Sequence, residues 1–162
     1  MTETAKLTDA LALHHVIAAL YTEFADRVDS KNWQGYADLY SPTGSLVVAW
    51  RDPIPQSEIA AIAEHRLGSW LRTHHMISNV AVRRDDNSVT SKAYVQATHL
   101  VSEDAGDAWV LGGRYDSEHV YVDGRWKFET LRLTVVWHRG HNPNVASSSD
   151  RENGDKGVRS PR

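Results

Sequence analysis

Four long segments of β-type sequence follow one another between residues 73 and 137, and they constrain the fold more than any other feature of the chain. They are rich in Val, Thr and aromatic residues, which favour strands. Their sequences are THHMISNVAVRR, SVTSKAYVQATHLV, AWVLGGRYDSEHVYV and RWKFETLRLTVVW. Asp85-Asp86-Asn87-Ser88 separates the first two, and Asp123-Gly124, a strong hairpin signal, separates the last two. The sequence therefore predicts an antiparallel meander.

The part of the chain before this meander carries apolar residues at helical spacing. A first helix is predicted from Thr8 or Asp9, as its N-cap, to about Val28, a second over about 33–40 and a third over 57–71. The buried side of the first helix is predicted to comprise Leu13, Ile17, Leu20, Tyr21, Phe24 and Val28. Ser41-Pro42-Thr43-Gly44 predicts a turn, with the strand SLVVAW after it. Helices followed by such a sheet predict an α+β fold with helices packed on one face of a curved sheet.

Length and composition predict one soluble domain. Of the 162 residues, 41% are hydrophobic and 24% charged, as in ordinary globular proteins. We predict a domain over residues 1–142 and a disordered tail over 143–162, because the tail is polar and lacks apolar periodicity. The net charge of −3 argues against nucleic acid as a partner. The N-terminus lacks the layout of a signal peptide and no segment approaches the ~20 apolar residues of a membrane span, so we expect a cytoplasmic protein without a membrane partner.

Two adjacent histidines, His74 and His75, lie at the start of the first predicted strand. Neighbouring strand residues point to opposite faces, so at most one of the two rings can face a pocket. A three-residue loop, Asp86-Asn87-Ser88, pairs His75 with His99, whereas a four-residue loop pairs His74 with His99. The residues alone leave this choice open, but either register brings two histidines together across two strands.

The second predicted hairpin contributes an aromatic face. With Asp123-Gly124 as a two-residue turn, Tyr115 lies opposite Arg132. The same face is predicted to carry Leu111, His119, Tyr121, Trp126 and Phe128. An aromatic-rich concave face with a few polar groups is typical of a small-molecule pocket. For any single one of these aromatic residues, packing in the hydrophobic core is a simpler interpretation than a place in a pocket.

The residues exclude or disfavour several kinds of chemistry. The chain has no cysteine, and therefore no disulfide, thiolate metal site or cysteine nucleophile. Adjacent strand histidines diverge and no HxH or HExxH motif is present, so no metal site is predicted. The glycines of LGGRY lack the spacing of a dinucleotide-binding loop and are expected to allow sheet bending or close backbone approach. We expect neither a metal nor an organic cofactor.

A single carboxylate, that of Asp29, follows the first predicted helix in RVDSKNW. The helix dipole disfavours a negative charge there by roughly 0.3–1 kcal/mol. One interpretation is a solvated turn residue paired with Lys31 or Arg27, and the other is an acid–base partner. A carboxylate that accepts the Nδ1 proton of a histidine fixes the tautomer and strengthens Nε2 as a base near neutral pH.

Four motifs, in this order, resemble those of a known family. FADRVDSKNW is similar to the stretch around the aspartate of scytalone dehydratases, and RTHHMISN to the stretch around a catalytic histidine. QATHLV resembles the segment with a second catalytic histidine, and DGRWKF a recurring hairpin. The resemblance runs from about residue 8 to 138 and points to the SnoaL-like branch of the NTF2-like superfamily. It implies a cone in which three N-terminal helices pack on a strongly curved, mainly antiparallel sheet that encloses a pocket.

Carried over by position, the resemblance implies the catalytic residues Asp29, His75 and His99, and it favours His75 and the three-residue loop. The two pocket tyrosines of scytalone dehydratase fall at Val28 and about Trp50, which argues against scytalone as the substrate. A serine and an asparagine position of that site fall at Tyr115 and Ser117. The residues predicted to bind substrate are Tyr115, Trp50, Arg132, Ser117 and Phe24.

The hypothesis that follows is a cofactor-free lyase or isomerase, foremost a dehydratase, acting on a small hydrophobic cyclic carbonyl compound of polyketide or terpenoid type. His75, oriented by Asp29, removes a proton beside the carbonyl, and His99 or Tyr115 donates one to the departing hydroxyl. The alternative is a non-catalytic binding or partner-subunit protein, because one fold can serve both roles. A homodimer or homotrimer is expected, since apolar side chains alternate on both faces of the strands.

Overall fold

A computed structural model describes residues 2–144 and has the predicted α+β architecture. The helices are α1 (Glu3–Asp29), α2 (Trp33–Ala37) and α3 (Gln56–Leu67), with a short 3-10 helix at Ala105–Asp107. The strands are β1 (Tyr40–Val47), β2 (Ile54–Pro55), β3 (Arg72–Arg84), β4 (Val89–Leu100), β5 (Trp109–Val122) and β6 (Arg125–Arg139). They form one sheet in the order β2-β1-β6-β5-β4-β3, in which only β1 and β6 are parallel. The face of this sheet that packs against α1 is called the inner face, and the opposite one the outer face.

Helix α1 begins earlier than predicted because Thr2, and not Thr8 or Asp9, is its N-cap. The Thr2 hydroxyl accepts a hydrogen bond from the Ala5 amide at 3.3 Å, which satisfies one of the free N–H groups of the first turn. The predicted apolar side is confirmed, since all six of its residues are buried. Each large apolar side chain buried in this way stabilises the fold by about 1.5–3 kcal/mol. The helix therefore lies across the inner face, and its last residue reaches the start of β3.

Strand β1 begins at Tyr40, so the predicted second helix is too long and the predicted turn at Ser41–Gly44 lies inside a strand. The hydroxyls of Ser41 and Thr43 donate hydrogen bonds to the carboxylate of Glu129 in β6. A Cβ at Gly44 would stand 2.7 Å from the carbonyl oxygen of Phe128, so only glycine allows this approach. Contacts with β6 therefore override the local preference for a turn.

The loop between β3 and β4 has four residues, because Arg84 pairs with Val89. A bulge at Asn79 and Val80 then moves the register by one more position. In this bulge Asn79 has φ 53°, and the Val80 carbonyl accepts a hydrogen bond from the ring of His14 at 2.9 Å. His99 consequently lies opposite Thr73, and His75 opposite Ala97. The predicted three-residue loop and both predicted histidine pairings are wrong. Relative to the three-residue loop, the longer loop shifts the register by one residue and the bulge shifts it by another. Each shift reverses the face to which a side chain points, so together they leave His75 and His99 on one face.

The predicted Asp123-Gly124 turn is confirmed, since Val122 pairs with Arg125 and both turn residues have positive φ. A bulge at Glu129 then shifts the register, so Tyr115 lies opposite Leu133 and Arg132 lies opposite Asp116 on the outer face. The predicted pairing of Tyr115 with Arg132 is therefore wrong. The glycines of LGGRY allow close backbone approach, as predicted, because a Cβ at Gly113 would meet the Thr134 carbonyl oxygen at 2.5 Å.

The predicted third helix ends at Leu67 and not at residue 71, and Gly68 closes it by donating its amide to the Glu64 carbonyl at 2.8 Å. None of the helices described within residues 2–144 is long and apolar enough to cross a membrane. Of the predicted disordered tail, Pro143 and Asn144 form a turn, and the remainder lies outside the described residues.

Candidate active site

The carboxylate of Asp29, the last residue of α1, is bound to the first residues of β3. Its Oδ1 accepts hydrogen bonds from the Thr73 hydroxyl at 2.8 Å and from Nδ1 of His75 at 2.7 Å. Its Oδ2 accepts one from the His75 amide at 2.8 Å. Three donors of this kind outweigh the unfavourable helix dipole. Asp29 is therefore not the solvated turn residue that the sequence alone allowed.

The ring of His75 lies on the inner face, whereas His74 is exposed on the outer face. Only 7% of the His75 side chain is accessible to solvent. A carboxylate can only accept, so Nδ1 of His75 carries the proton and Nε2 has its lone pair free. Within residues 2–144, Nε2 makes no hydrogen bond. This nitrogen is available to act as a base.

The pKa of the Asp29 carboxyl lies below its ordinary value. Burial raises this pKa, but the hydrogen bonds from the ring and amide of His75, the charge of that ring and the hydrogen bond from Thr73 together lower it by more. Asp29 therefore stays ionised at neutral pH and can stabilise a positive charge on His75.

His99 lies diagonally across the strand pair from His75, with 5.7 Å between the ring centroids. Its residue is only 2% exposed, and the rings of Trp70 and Trp109 pack on it with centroids at 5.2 and 4.7 Å. Burial, followed by the positive charge of His75, lowers the pKa of His99 to about 4. Nδ1 of His99 donates to the Trp109 carbonyl at 3.4 Å, which leaves Nε2 as an acceptor. Of the two predicted proton donors, this bond favours Tyr115.

Of two residues predicted to bind substrate, Phe24 lies beside His75 and Tyr115 lies beside Phe24. The Phe24 ring is edge-on to His75 at 6.2 Å and to Tyr115 at 5.3 Å. Burial, then the nearby tyrosines Tyr36 and Tyr21 and the negative charge of Asp29, raise the pKa of Tyr115 well above its ordinary value. The hydroxyl of Tyr115 thus keeps its proton, and no residue of the described chain accepts it in a hydrogen bond.

The other three predicted binding residues are placed differently. Ser117 is buried on the inner face, but its hydroxyl is hydrogen-bonded to Tyr21 at 2.8 Å. Trp50 is 52% exposed, and its ring stacks against the guanidinium of Arg66 at 4.2 Å. Arg132 is exposed on the outer face because of the bulge at Glu129. The structure brings neither Trp50 nor Arg132 to the histidines, which corrects their predicted place in the pocket.

Several residues of the site were missed from the sequence. Thr73 shares a strand face with His75 at a spacing of two, so strand alternation could have identified it. Tyr36 packs its ring edge on Phe24 at 5.0 Å and is hydrogen-bonded to Tyr40 at 3.0 Å. Trp70 reaches His99 from the segment before β3, and Trp109 lies opposite His99 in the register of β4 with β5, neither of which a local pattern indicated.

Access to the two histidines is almost closed in this conformation. Two cavities of about 350 and 330 Å³, one between α1 and the β5–β6 turn and one on the outer face, are lined by other residues. Only 7% of the His75 side chain and 2% of His99 are accessible to solvent. Among residues 2–144, no three His, Asp or Glu side chains are grouped so that they could hold a metal ion.

Comparison with known proteins agrees with this fold. Residues 9–132 match the family described as SnoaL-like domain. The chain is 29% identical over 151 residues to scytalone dehydratase arp1 of Aspergillus fumigatus, covering 83% of this chain and 86% of the relative. A crystal structure of a protein named as a scytalone dehydratase, from Novosphingobium aromaticivorans, superposes with a TM-score of 0.74 at 20% identity, over 83% and 91% of the two chains. A hexachlorocyclohexane dehydrochlorinase from Novosphingobium barchaimii gives 0.70 at 19% identity, over 84% and 94%.

Proposed function

This chain belongs to the SnoaL-like family, and from that premise we propose that it is a cofactor-free lyase or isomerase, foremost a dehydratase of a cyclic carbonyl compound. One observation carries the proposal: Nδ1 of His75 donates to Asp29 at 2.7 Å, with the ring of His99 across from it. A carboxylate that orients a histidine serves acid–base chemistry, and a simple binding site gains nothing from it. The relationship to a scytalone dehydratase at 29% identity supports the same class of reaction.

In the proposed reaction, Nε2 of His75 takes a proton from the carbon beside the substrate carbonyl. Asp29 stabilises the imidazolium that forms. The electron pair of the broken C–H bond becomes the new C=C bond as the C–O bond to the β-hydroxyl breaks, and the proton and the hydroxide leave as water. Tyr115 donates a hydrogen bond to the departing oxygen, and Nε2 of His99 accepts one from a substrate hydroxyl. A base positioned in this way contributes about 10²–10⁴-fold to the rate.

The proposed substrate is an uncharged ring system. Apart from the carboxylate of Asp29, the rings that pack beside the two histidines are aromatic: Phe24 beside His75, and Trp70 and Trp109 beside His99. Aromatic walls of this kind bind flat apolar rings and offer no cation to a carboxylate or phosphate group. The chemistry requires no metal and no organic cofactor.

A panel of one- and two-ring β-hydroxy ketones tests this proposal. Loss of water conjugates the new double bond with the carbonyl, and the reaction is followed as an ultraviolet absorbance that the His75→Ala variant does not produce. If no member of the panel loses water with the wild-type protein while several bind to it, the proposal is wrong.

A second candidate function, a non-catalytic binding protein, is favoured by one observation. The side chain of His75 is 7% accessible and His99 is 2% exposed, and a ligand held beside such closed rings would exchange slowly, which suits retention of a ligand better than repeated turnover. Binding measured by calorimetry in wild type and His75→Ala separates the two candidates. A receptor loses affinity in the variant and forms no product in either protein.

A further inference from the structure

Lys31 occupies a costly position in the turn that follows α1. Its φ is 58°, a left-handed conformation that a lysine adopts only when the surroundings impose it. Its ammonium donates to the carbonyl oxygens of Gly68 at 3.2 Å and of Trp70 at 2.8 Å. Within the described chain it forms no ion pair with a carboxylate. The charged group of Lys31 thus binds the backbone of one segment.

That segment, residues 68–71, joins the end of α3 to the start of β3. Trp70 lies in it and is 1% exposed. The Trp70 ring packs on His99 at 5.2 Å and stacks on Trp109 at 5.9 Å with an interplanar angle of 15°. The segment whose carbonyls Lys31 binds is therefore the one that covers His99.

The turn after α1 thereby reaches both histidines. Asp29, at the end of the helix, binds His75 directly. Lys31, two positions further on, holds the segment that carries Trp70 against His99. The two sets of contacts are separate, because the ammonium of Lys31 makes no hydrogen bond to Asp29 or His75.

We propose that Lys31 is a positioning residue, which fixes the 68–71 segment over His99 and thereby keeps that ring buried beside His75. The inference does not depend on the reaction proposed above, because it concerns the burial of His99 whatever the site does.

The experiment is an NMR pH titration of the histidine ring protons in the full chain, comparing wild type with Lys31→Met. Methionine keeps the apolar stem and removes the donors. Burial is the main cause that lowers the pKa of His99 to about 4, so uncovering the ring should raise its titration midpoint by about one unit or more toward the ordinary value of about 6.5. Lys6→Met, which removes an exposed lysine in the first turns of α1, is the matched control and should leave His99 unchanged. Lys31→Arg, which retains the charge and the donors, should restore most of the wild-type midpoint.

An unchanged His99 midpoint in folded Lys31→Met overturns the proposal, even if that variant is less stable. If Lys31→Met does not fold, the same titration is made with Lys31→Gly, which removes the donors and adopts the positive φ of this position without strain. A wild-type midpoint in Lys31→Gly then overturns the proposal equally.

Discussion

Two buried histidines, His99 and His119, lie on the inner face of the same sheet but differ in their surroundings. Burial is the main cause that lowers the pKa of each to about 4. His99 lies beside His75, whose ring is bound to the carboxylate of Asp29. Around His119 the polar partners are neutral: Nε2 is hydrogen-bonded to the Ser91 hydroxyl at 2.7 Å. The two histidines therefore share their burial and differ in that only His99 lies beside a ring oriented by a charged partner, which is the basis for placing His99 and not His119 in the proposed site.

The side chains of the neutral cluster around His119 are hydrogen-bonded to one another. The Tyr21 hydroxyl is hydrogen-bonded to Ser91 at 2.9 Å and to Ser117 at 2.8 Å, so four side chains form one chain of hydrogen bonds. Nδ1 of His119 has no hydrogen-bond partner among the described residues, although the backbone of Lys127 lies near enough to offset part of the fall in pKa. A neutral network of this kind has no charge with which to drive proton transfer.

The largest expected difference between the neutral cluster around His119 and the cluster of Asp29, His75 and His99 is in turnover. Asp29→Asn should lower kcat by about 10²–10⁴-fold, because the amide cannot support a positive charge on His75. Ser91→Ala makes a matched change beside His119 and should leave kcat within a few-fold of wild type. Steady-state kinetics with a substrate from the ketone panel provide the measurement. Equal losses in the two variants would contradict the distinction between the clusters.

Acid should destabilise the protein through both histidines. Each has a folded-state pKa of about 4 against about 6.5 unfolded, so the unfolded chain binds more protons between these values. The contribution of the two histidines to the free energy of unfolding is fully present above pH 6.5 and decreases as the pH drops toward 4. Below pH 4 these groups cause no further loss. The loss amounts to about 3 kcal/mol for each histidine. Urea unfolding from pH 7 to 4 should show it, with a smaller loss in His119→Leu; an identical pH dependence in that variant would exclude His119 as a cause.

Tyr21→Phe should reduce stability and spare activity. It removes the hydroxyl that is hydrogen-bonded to Ser91 and Ser117 and should cost about 1–3 kcal/mol of unfolding free energy. Tyr94→Phe, at an exposed tyrosine of the outer face, is the control and should be neutral. Urea denaturation measures both. A large loss of kcat in a folded Tyr21→Phe protein would show that the neutral cluster takes part in the reaction.

The smallest effect on either cluster is expected from changes on the outer face. We propose that this face mediates a homodimer or homotrimer, because it exposes large apolar side chains around a cavity of about 330 Å³, among them Met76, Tyr94, Val136 and Trp137. Val136→Glu should convert the oligomer to the 18.2 kDa monomer in light scattering, with unfolding of the monomer altered by no more than about 0.5 kcal/mol. A wild-type monomer at micromolar concentration would refute the proposal.

The sequence was sufficient for the existence of the three helices and the four long strands, but not for the ends of the helices, for the start of β1 or for the exact alignment of the strands. Apolar spacing identified the buried side of α1, and the Asp123-Gly124 turn fixed the start of the second hairpin. The bulges at Asn79 and Glu129 depend on contacts with His14 in α1 and with Ser41 and Thr43 in β1. Such contacts join residues far apart in the chain, so local patterns do not reveal them. For this reason the predicted partners of His99 and Tyr115 were wrong.

The composition of the site, like the fold, was predictable only in part. Asp29, His75 and His99 come together as the family resemblance implied. Trp50 and Arg132 do not, because one is held by Arg66 and the other is turned outward by a bulge. Trp70 and Lys31 were missed because they act through a loop whose path only the folded chain determines.

Hydrogen–deuterium exchange at the carbon beside the carbonyl of a cyclic ketone, followed by NMR in D₂O, tests most directly that His75 is the base. It requires only the proton-abstraction half of the reaction, so a ketone without a leaving group suffices. Wild type and His74→Ala should catalyse the exchange at similar rates, because His74 points away from the site, whereas His75→Ala should lose about 10²-fold or more. Exchange that survives in His75→Ala and disappears in His74→Ala would contradict the account.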